Sequence, residues 1–434
     1  MNIKIKEIFQ TQKQDFLSNG ALSIERRIGI LKKIKMLLKS NKNLIEEALY
    51  IDLGKTPMES FYSELALIFN SINLAIKSIK KWSKKKKINT PWFLWPSKSY
   101  IEPQAYGVVG IYSTWNYPFL LTLDPLIAAI SAGNRVMLKI SEYSTESEKL
   151  IKRLINENFQ NNEIYCIENS EKNLVEFNEF NFDLIFFTGS NKIGKIIAKK
   201  AAENLTPVVL ELGGKSPTII FEDANLKKVV NNVFFGKFSN AGQICIAHDF
   251  IFIDEKNADK FINLLKLKIE KDFMKLNNKI INKHHFDRLI NLVPEWEKEN
   301  IRYDVDKMKI YPFIFKSSLD DKIMKEEIFG PILPIITFKD NEDLIKKMSL
   351  YNNPLVLYLF TQNKKNIEIT KKISSGNLII NDTIVFLSNY FLPFGGIKES
   401  GNGKYHGYEG FKTFSHFRSV FKNKRSKNIN PYIK

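Results

Sequence analysis

The chain has 434 residues, 44% hydrophobic and 26% charged, with a formal net charge of +18. That length exceeds what one core usually supports and that composition excludes a disordered chain, so two or more domains are expected. Two cysteines exclude a disulfide framework and favour a reducing compartment.

The first residues, "MNIKIKEIFQTQKQDF", spread charge through their apolar positions and lack a signal-peptide core. Residues 24–38 carry Ile24, Ile28, Leu31, Ile34 and Leu38 at the spacing of an amphipathic helix. A strip at 82–103, rich in Trp and Pro, interrupts the pattern and reads as an excursion such as a hairpin. Lys84–Lys87 beside it reads as a solvated face. Short β-like runs follow: "YGVVGIYS", "NRVMLKIS", "FDLIFFTGS", "TPVVLELGG" and "SPTIIFED". Helix-length segments at 120–132, 145–158 and 191–204 separate most of them. A second series, "DFIFIDE", "PILPIITF", "PLVLYLFT" and "SGNLIIND", repeats the alternation. Strands alternating with helices predict parallel sheets covered on both faces. The chain therefore reads as two α/β domains that meet near residue 208.

The richest apolar run, "YPFLLTLDPLIAAISAG", is broken by Asp124 and Pro125, and none reaches the roughly 18 residues of a membrane span. The ending "KNKRSKNINPYIK" has neither a hydrophobic tail nor a lipidation box. A cytoplasmic protein without an integral membrane anchor is expected. The lysines are dispersed among Asn and Ile, which reads as compositional drift and not as a nucleic-acid surface.

Residues 189–196, "GSNKIGKI", match G-x-x-x-x-G-K between a strand and a helix. A nucleoside triphosphatase needs a hydroxyl next to ligate magnesium, and Ile196 supplies none. What remains is a plain turn or a helix N-terminus able to receive a pyrophosphate. Glu211, in "VVLELGGKSP", is a surface residue or, in an apolar cleft, a base of raised pKa. Cys245, in "SNAGQICIA", packs or reacts. As a thiolate it could attack a carbonyl while its own N–H stabilises the oxyanion. Asn116, in "STWNYPF", supplies the type of neutral donor needed for the second contact. The five histidines make no metal-ligand spacing with the cysteines, so no metal is expected, and Cys166 in "IYCIE" reads as a core thiol.

Together "WNYP", "FTGSNKIGK", "ELGGKSP", "GQICIA", "EEIFGPILP" and "LPFGGIKESGNGKYHGYEGFKTFSH" resemble the aldehyde dehydrogenase superfamily, from about residue 105 to 420. The early start and the "YHG…FSH" ending are most similar to its class 3, dimeric NAD(P)-dependent branch. The resemblance implies two Rossmann-like α/β domains and a bridging segment. Residues 1–81 and 104–208 would bind NAD or NADP, 209–414 would be catalytic, and 82–103 with 415–434 would mediate homodimerisation. It implies Cys245 as nucleophile, Asn116 as oxyanion donor and Glu211 as the base that activates water. Trp115, Lys139, Glu142, Gly189, Ser190, Gly194, Leu212, Glu327 and Phe329 would contact the cofactor. Lys139 and Glu142 would face the adenosine ribose, where Glu142 favours NAD and Lys139 tolerates NADP. Tyr117, Phe235, Phe238 and Phe394 are candidate walls for a medium- or long-chain aliphatic or aromatic aldehyde, or else core residues.

Glu211 favours hydrolysis over release to coenzyme A or phosphate. Ile140 replaces a frequent Pro, and 161–182 and 276–320 lack glycine-rich turns, which leaves an inactive relative as an alternative.

Overall fold

In the computed structural model, residues 4–272, 276–351 and 353–424 are described. The periodicity at 24–38 folds as α2 (Ile24–Ser40), which buries Ile30, Leu31, Ile34 and Leu38 and is capped by the Ser23 hydroxyl. It lies in a helical run of α1 (Ile5–Asn19), α3 (Lys42–Leu53), α4 (Pro57–Ser60) and α5 (Ala66–Trp82). Gly54 ends α3 at φ 69°, and a Cβ there would meet the Asn277 carbonyl at 2.5 Å, so only glycine fits. Between α4 and α5, residues Phe61–Leu65 form a π-helical turn.

The strip after α5 forms β1 (Lys86–Ile88) and β2 (Lys98–Ala105), an antiparallel pair. Near the other end of the chain, β17 (Ser415–Lys422) pairs along the whole of β2 and completes a three-stranded sheet. The terminal basic stretch at 425–434, expected in the bridging segment, lies outside the described residues.

The first α/β sheet holds β3 (Val108–Tyr112), β4 (Arg135–Lys139), β5 (Ile164–Cys166), β6 (Leu184–Gly189) and β7 (Val208–Leu212). Their helices are α6 (Pro118–Ala132), α7 (Thr145–Asn156), α8 (Glu171–Asn178) and α9 (Asn191–Ala202). The spatial order β7-β6-β3-β4-β5 is parallel throughout. Cys166 is fully buried in β5, as a core thiol should be.

The second sheet begins with β8 (Pro217–Ile220) and, after α10 (Leu226–Phe238), β9 (Phe250–Asp254). A short hairpin, β10 (Tyr303–Asp304) and β11 (Lys309–Ile310), precedes β12 (Phe313–Lys316) and β13 (Ile332–Phe338). Met308, at φ 51°, takes the left-handed position of that hairpin where a glycine would be usual. β14 (Val356–Phe360) and β15 (Asn377–Ile380) complete the parallel order β12-β13-β9-β8-β14-β15.

The change of sheet falls later than the expected 208. β7 still belongs to the first sheet, and the Gly213–Gly214 pair separates it from β8. The apolar runs on either side of that pair look alike in sequence, so only the pairing reveals the divide. A later piece also crosses back: β16 (Gly401–Asn402) pairs antiparallel with β7, with Gly401 opposite Glu211. A Cβ at Gly401 would meet the Leu210 carbonyl at 2.2 Å, so glycine permits this crossing. The largest core cluster runs from α2, α3 and α5 through α6 and the first sheet into α10 and β9.

Candidate active site

In the first sheet the chain runs from β3 outward to β4 and β5, then returns to β6 on the other side of β3. The carboxyl ends of β3 and β6 therefore flank a topological switch point, where open parallel sheets bind their ligands. Trp115 and Asn116 follow β3, Lys139 ends β4, Gly189 ends β6 and Leu212 ends β7. The pieces named from sequence thus gather along one edge because the sheet is parallel.

The thiol comes from the other side. After α10, Asn240, Ala241 and Gly242 adopt φ of 49°, 53° and 71°, three left-handed residues in succession. For Ala241 this conformation costs about 1–2 kcal/mol. At Gly242 a Cβ would meet the Gly330 carbonyl at 2.3 Å. Gln243 holds the loop: its Nε2 donates to Asn240 O and Lys279 O, each at 3.0 Å, and its Oε1 accepts from Ile281 N at 3.0 Å. The Gly-Gln pair before Cys245 is thus a turn and its clamp.

Cys245 is partly exposed, and the N–H groups of Cys245 and Ile246 point at its sulfur. Burial, with the charges of Glu327 and Glu211 nearby, pushes the thiol up to about 12. Glu211, on β7 between Leu210 and Leu212, is buried, and neither carboxyl oxygen has a hydrogen-bond partner among the described residues. Burial alone raises its pKa well above the carboxylate range. Asn116 is buried too. Its Nδ2 donates to Gln243 O at 2.9 Å, which leaves one amide hydrogen, and its Oδ1 has no partner.

Glu327 folds over the glycine pair, where a Cβ on Gly213 would lie 2.0 Å from its Oε2. Burial and Asp249 push it up to about 8. Its loop is anchored by Lys215, which pairs with Asp249 at 2.5 Å and donates to Ile323 O and Glu326 O at 3.0 and 2.9 Å. Phe329, at φ 51°, meets the Trp115 ring edge-on, 5.4 Å between centroids.

These residues fit a nicotinamide dinucleotide. Ser190 caps the free N-terminus of α9, which favours an anion. Lys139 and Glu142 form a 2.6 Å ion pair at the end of β4, and although burial raises the Glu142 pKa, this pairing and a backbone hydrogen bond together keep the carboxyl low. The two Glu211 oxygens are buried without a hydrogen-bond partner among the described residues, the kind of orphaned polar group that marks a functional site. Gly194 and Leu212, both expected at the cofactor, pack against each other. A Cβ on Gly194 would meet Leu212 Cδ2 at 2.6 Å, so the glycine lets α9 settle on β7.

Cys245 also lines a cavity of about 520 Å³ whose walls are mainly apolar. Tyr117, Phe235 and Phe394 line it as expected. Phe238 does not: it is fully buried and packs edge-on against Phe234, because it faces the core side of α10. Sequence reasoning missed Lys55, Met58 and Tyr62 from the N-terminal helices, and Tyr390 and His406 from the C-terminal part. Met and aromatic residues on a helix read as core whichever cavity they face, so no periodicity marks them.

The model of the aldehyde dehydrogenase family matches residues 3–420. A "4,4'-diaponeurosporen-aldehyde dehydrogenase" from Staphylococcus aureus is 41% identical, over 98% of this chain and 95% of its own. "Aldehyde dehydrogenase family 3 member H1" from Arabidopsis thaliana is also 41% identical, over 91% of this chain and 85% of its own. Among solved structures, the substrate-bound state of a Staphylococcus aureus AldH superposes with a TM-score of 0.95 at 39% identity, covering 100% of this chain and 97% of its own.

Proposed function

The chain belongs to the aldehyde dehydrogenase family and oxidises an aldehyde to the carboxylic acid with NAD or NADP, and on that premise we propose Cys245 as its nucleophile, Asn116 as its oxyanion donor and Glu211 as its water-activating base. The observation that carries this reading is the position of Cys245. It lines an apolar cavity, and the buried Glu327 and Glu211 are close enough to raise its pKa.

The Cys245 sulfur attacks the carbonyl carbon and forms a thiohemiacetal. The remaining Asn116 amide hydrogen and the Cys245 N–H receive the oxygen as it becomes negative. A nicotinamide held by Trp115, Glu327 and Phe329 would supply a hydride acceptor for that carbon and a positive charge that favours the thiolate. A thioester is left on Cys245. Glu211 then draws a proton from a water, which adds to the thioester and frees the acid. Because its pKa is raised, Glu211 gains its base form only as pH rises, so hydrolysis quickens toward alkaline pH.

Trp115, Gly189, Ser190, Gly194, Leu212, Glu327 and Phe329 would hold the cofactor, with Glu142 favouring NAD and Lys139 allowing NADP. The cavity, walled by Met58, Tyr62, Leu120, Phe235, Ile244 and Phe394, suits a medium- or long-chain aliphatic or aromatic aldehyde. The first sheet would serve as the cofactor domain and the second as the catalytic one. The three-stranded sheet would join two copies in a homodimer, a reading supported by exposed Trp92, Phe93 and Trp95 beside it. No helix among the described residues is long and apolar enough to cross a membrane. A cytoplasmic setting would keep Cys245 reduced.

The test is NAD(P)H production from an aldehyde panel with each cofactor, beside Cys245→Ala and Glu211→Gln. Cys245→Ala is expected below about 10⁻⁴ of wild-type turnover. Glu211→Gln is expected to trap one acyl adduct, visible by mass spectrometry. Unchanged turnover in Cys245→Ala overturns the mechanism. Dependence on coenzyme A or phosphate overturns hydrolysis, and strict NADP use overturns the role of Glu142.

A further inference from the structure

Lys55 and Glu64, which play no part in the chemistry above, form an ion pair whose side chains are 1% and 0% exposed. Lys55 Nζ donates to Glu64 Oε1 at 2.6 Å and to the Asn116 carbonyl at 3.1 Å. It also lies 3.8 Å from the centroid of the Tyr117 ring. The second Glu64 oxygen accepts from the N–H groups of Phe119 and Leu120 at 2.9 and 3.0 Å, in the first turn of α6. One ion pair therefore grips residues 116, 117, 119 and 120.

The same turn is tied to the thiol loop. Asn240 Nδ2 donates to Asn116 O at 3.0 Å and to Gln243 O at 3.2 Å, and Gln243 O also receives the Asn116 amide. Main chain and side chain of Asn116 are both fixed, and one amide hydrogen remains. A buried ion pair adds little net stability over apolar residues of the same size, so stability is a poor explanation for keeping this one. Glu64 is presented by the π-helical turn at Phe61–Leu65, a local irregularity common at functional sites.

We propose that Lys55 and Glu64 are positioning residues for the oxyanion site, holding the 116–120 turn so that the free Asn116 N–H meets the oxygen formed at Cys245. This rests on the reading of Asn116 and Cys245 given above. The cation alone would attract an anion directly, but the adjoining carboxylate cancels most of that field. Geometry is what the pair contributes.

The test uses Lys55→Met and Glu64→Gln in the full chain, with active sites titrated. A displaced oxyanion donor is expected to lower kcat by about 10–100-fold while KM moves by less than about threefold. The primary isotope effect with a 1-deuterated aldehyde should rise, since carbonyl attack and hydride loss become limiting. Alkylation of Cys245 by iodoacetamide, which forms no oxyanion, should keep its rate. Glu64→Gln keeps the shape and one acceptor, so a smaller loss of about 3–10-fold is expected. It carries the test if Lys55→Met does not fold. Wild-type kcat and isotope effect per titrated site, in either variant, overturn the proposal, even when the melting temperature drops. Asn116→Ala and Cys245→Ala in the same assays test the reading beneath: wild-type turnover there would remove that reading, whatever Lys55 does.

Discussion

Cys245 separates two regions built on different rules. On the cofactor side, polar groups stand at the ends of parallel strands, and each has a fixed backbone address. On the substrate side, the wall is assembled from helix faces and loops distant in sequence, such as Met58, Phe235 and Phe394. The first region fixes a few polar atoms through hydrogen bonds such as Asn116 Nδ2 to Gln243 O. The second excludes water over a broad apolar area and fixes no single contact. Substitutions should therefore act on kcat on one side and on KM on the other.

The largest effect that sharpens this contrast is expected from Asn116→Ala. Removing one oxyanion donor should lower kcat by about 10²–10³-fold, read by steady-state kinetics across the whole aldehyde panel. A loss confined to KM would break the comparison. Phe235→Ala should act the other way. The ring is half-exposed at the cavity wall, and losing part of its contact should raise KM for long-chain aldehydes by about 10-fold. Short aldehydes should turn over as before.

The smallest effect concerns stability. Glu211 has a raised folded-state pKa, so the native state binds a proton that the unfolded state has released once pH passes the ordinary carboxylate value. Its contribution is therefore intact below that value and is lost as pH rises toward the folded pKa. Glu211→Gln should melt progressively higher than wild type between pH 5 and pH 8. A constant difference across that range would mean that Glu211 is partnered.

How much was legible in the sequence follows the same division. Strand-end residues sit in short motifs because a parallel strand must stop abruptly, and glycines or capping residues mark the stop. That is why Asn116, Ser190 and Glu211 stand out as candidates, along with the alternation that builds both sheets, while Cys245 stands out through the Gly-Gln turn before it. The packing of Gly194 on Leu212 was not legible, because a glycine needed for helix-on-strand packing looks like one needed for a phosphate. Phe238 was misjudged because Phe235 and Phe238 lie on neighbouring faces of one helix, and a single rotation decides which meets the cavity. Lys55 and Glu64 carried no signal at all. Apart from each other, their hydrogen-bond partners are the carbonyl of Asn116 and the N–H groups of Phe119 and Leu120, and backbone groups leave no trace in a sequence.

The pairing of Gly401 with Glu211 has a mechanical consequence. The chain leaves the first sheet at Gly213–Gly214 and returns to it at Gly401–Asn402, so two covalent crossings lie side by side at the end of β7. With Thr188 of β6 on one side and Gly401 on the other, the Glu211 backbone is paired along both of its edges, so the strand that carries the carboxyl cannot slip in register without breaking both ladders.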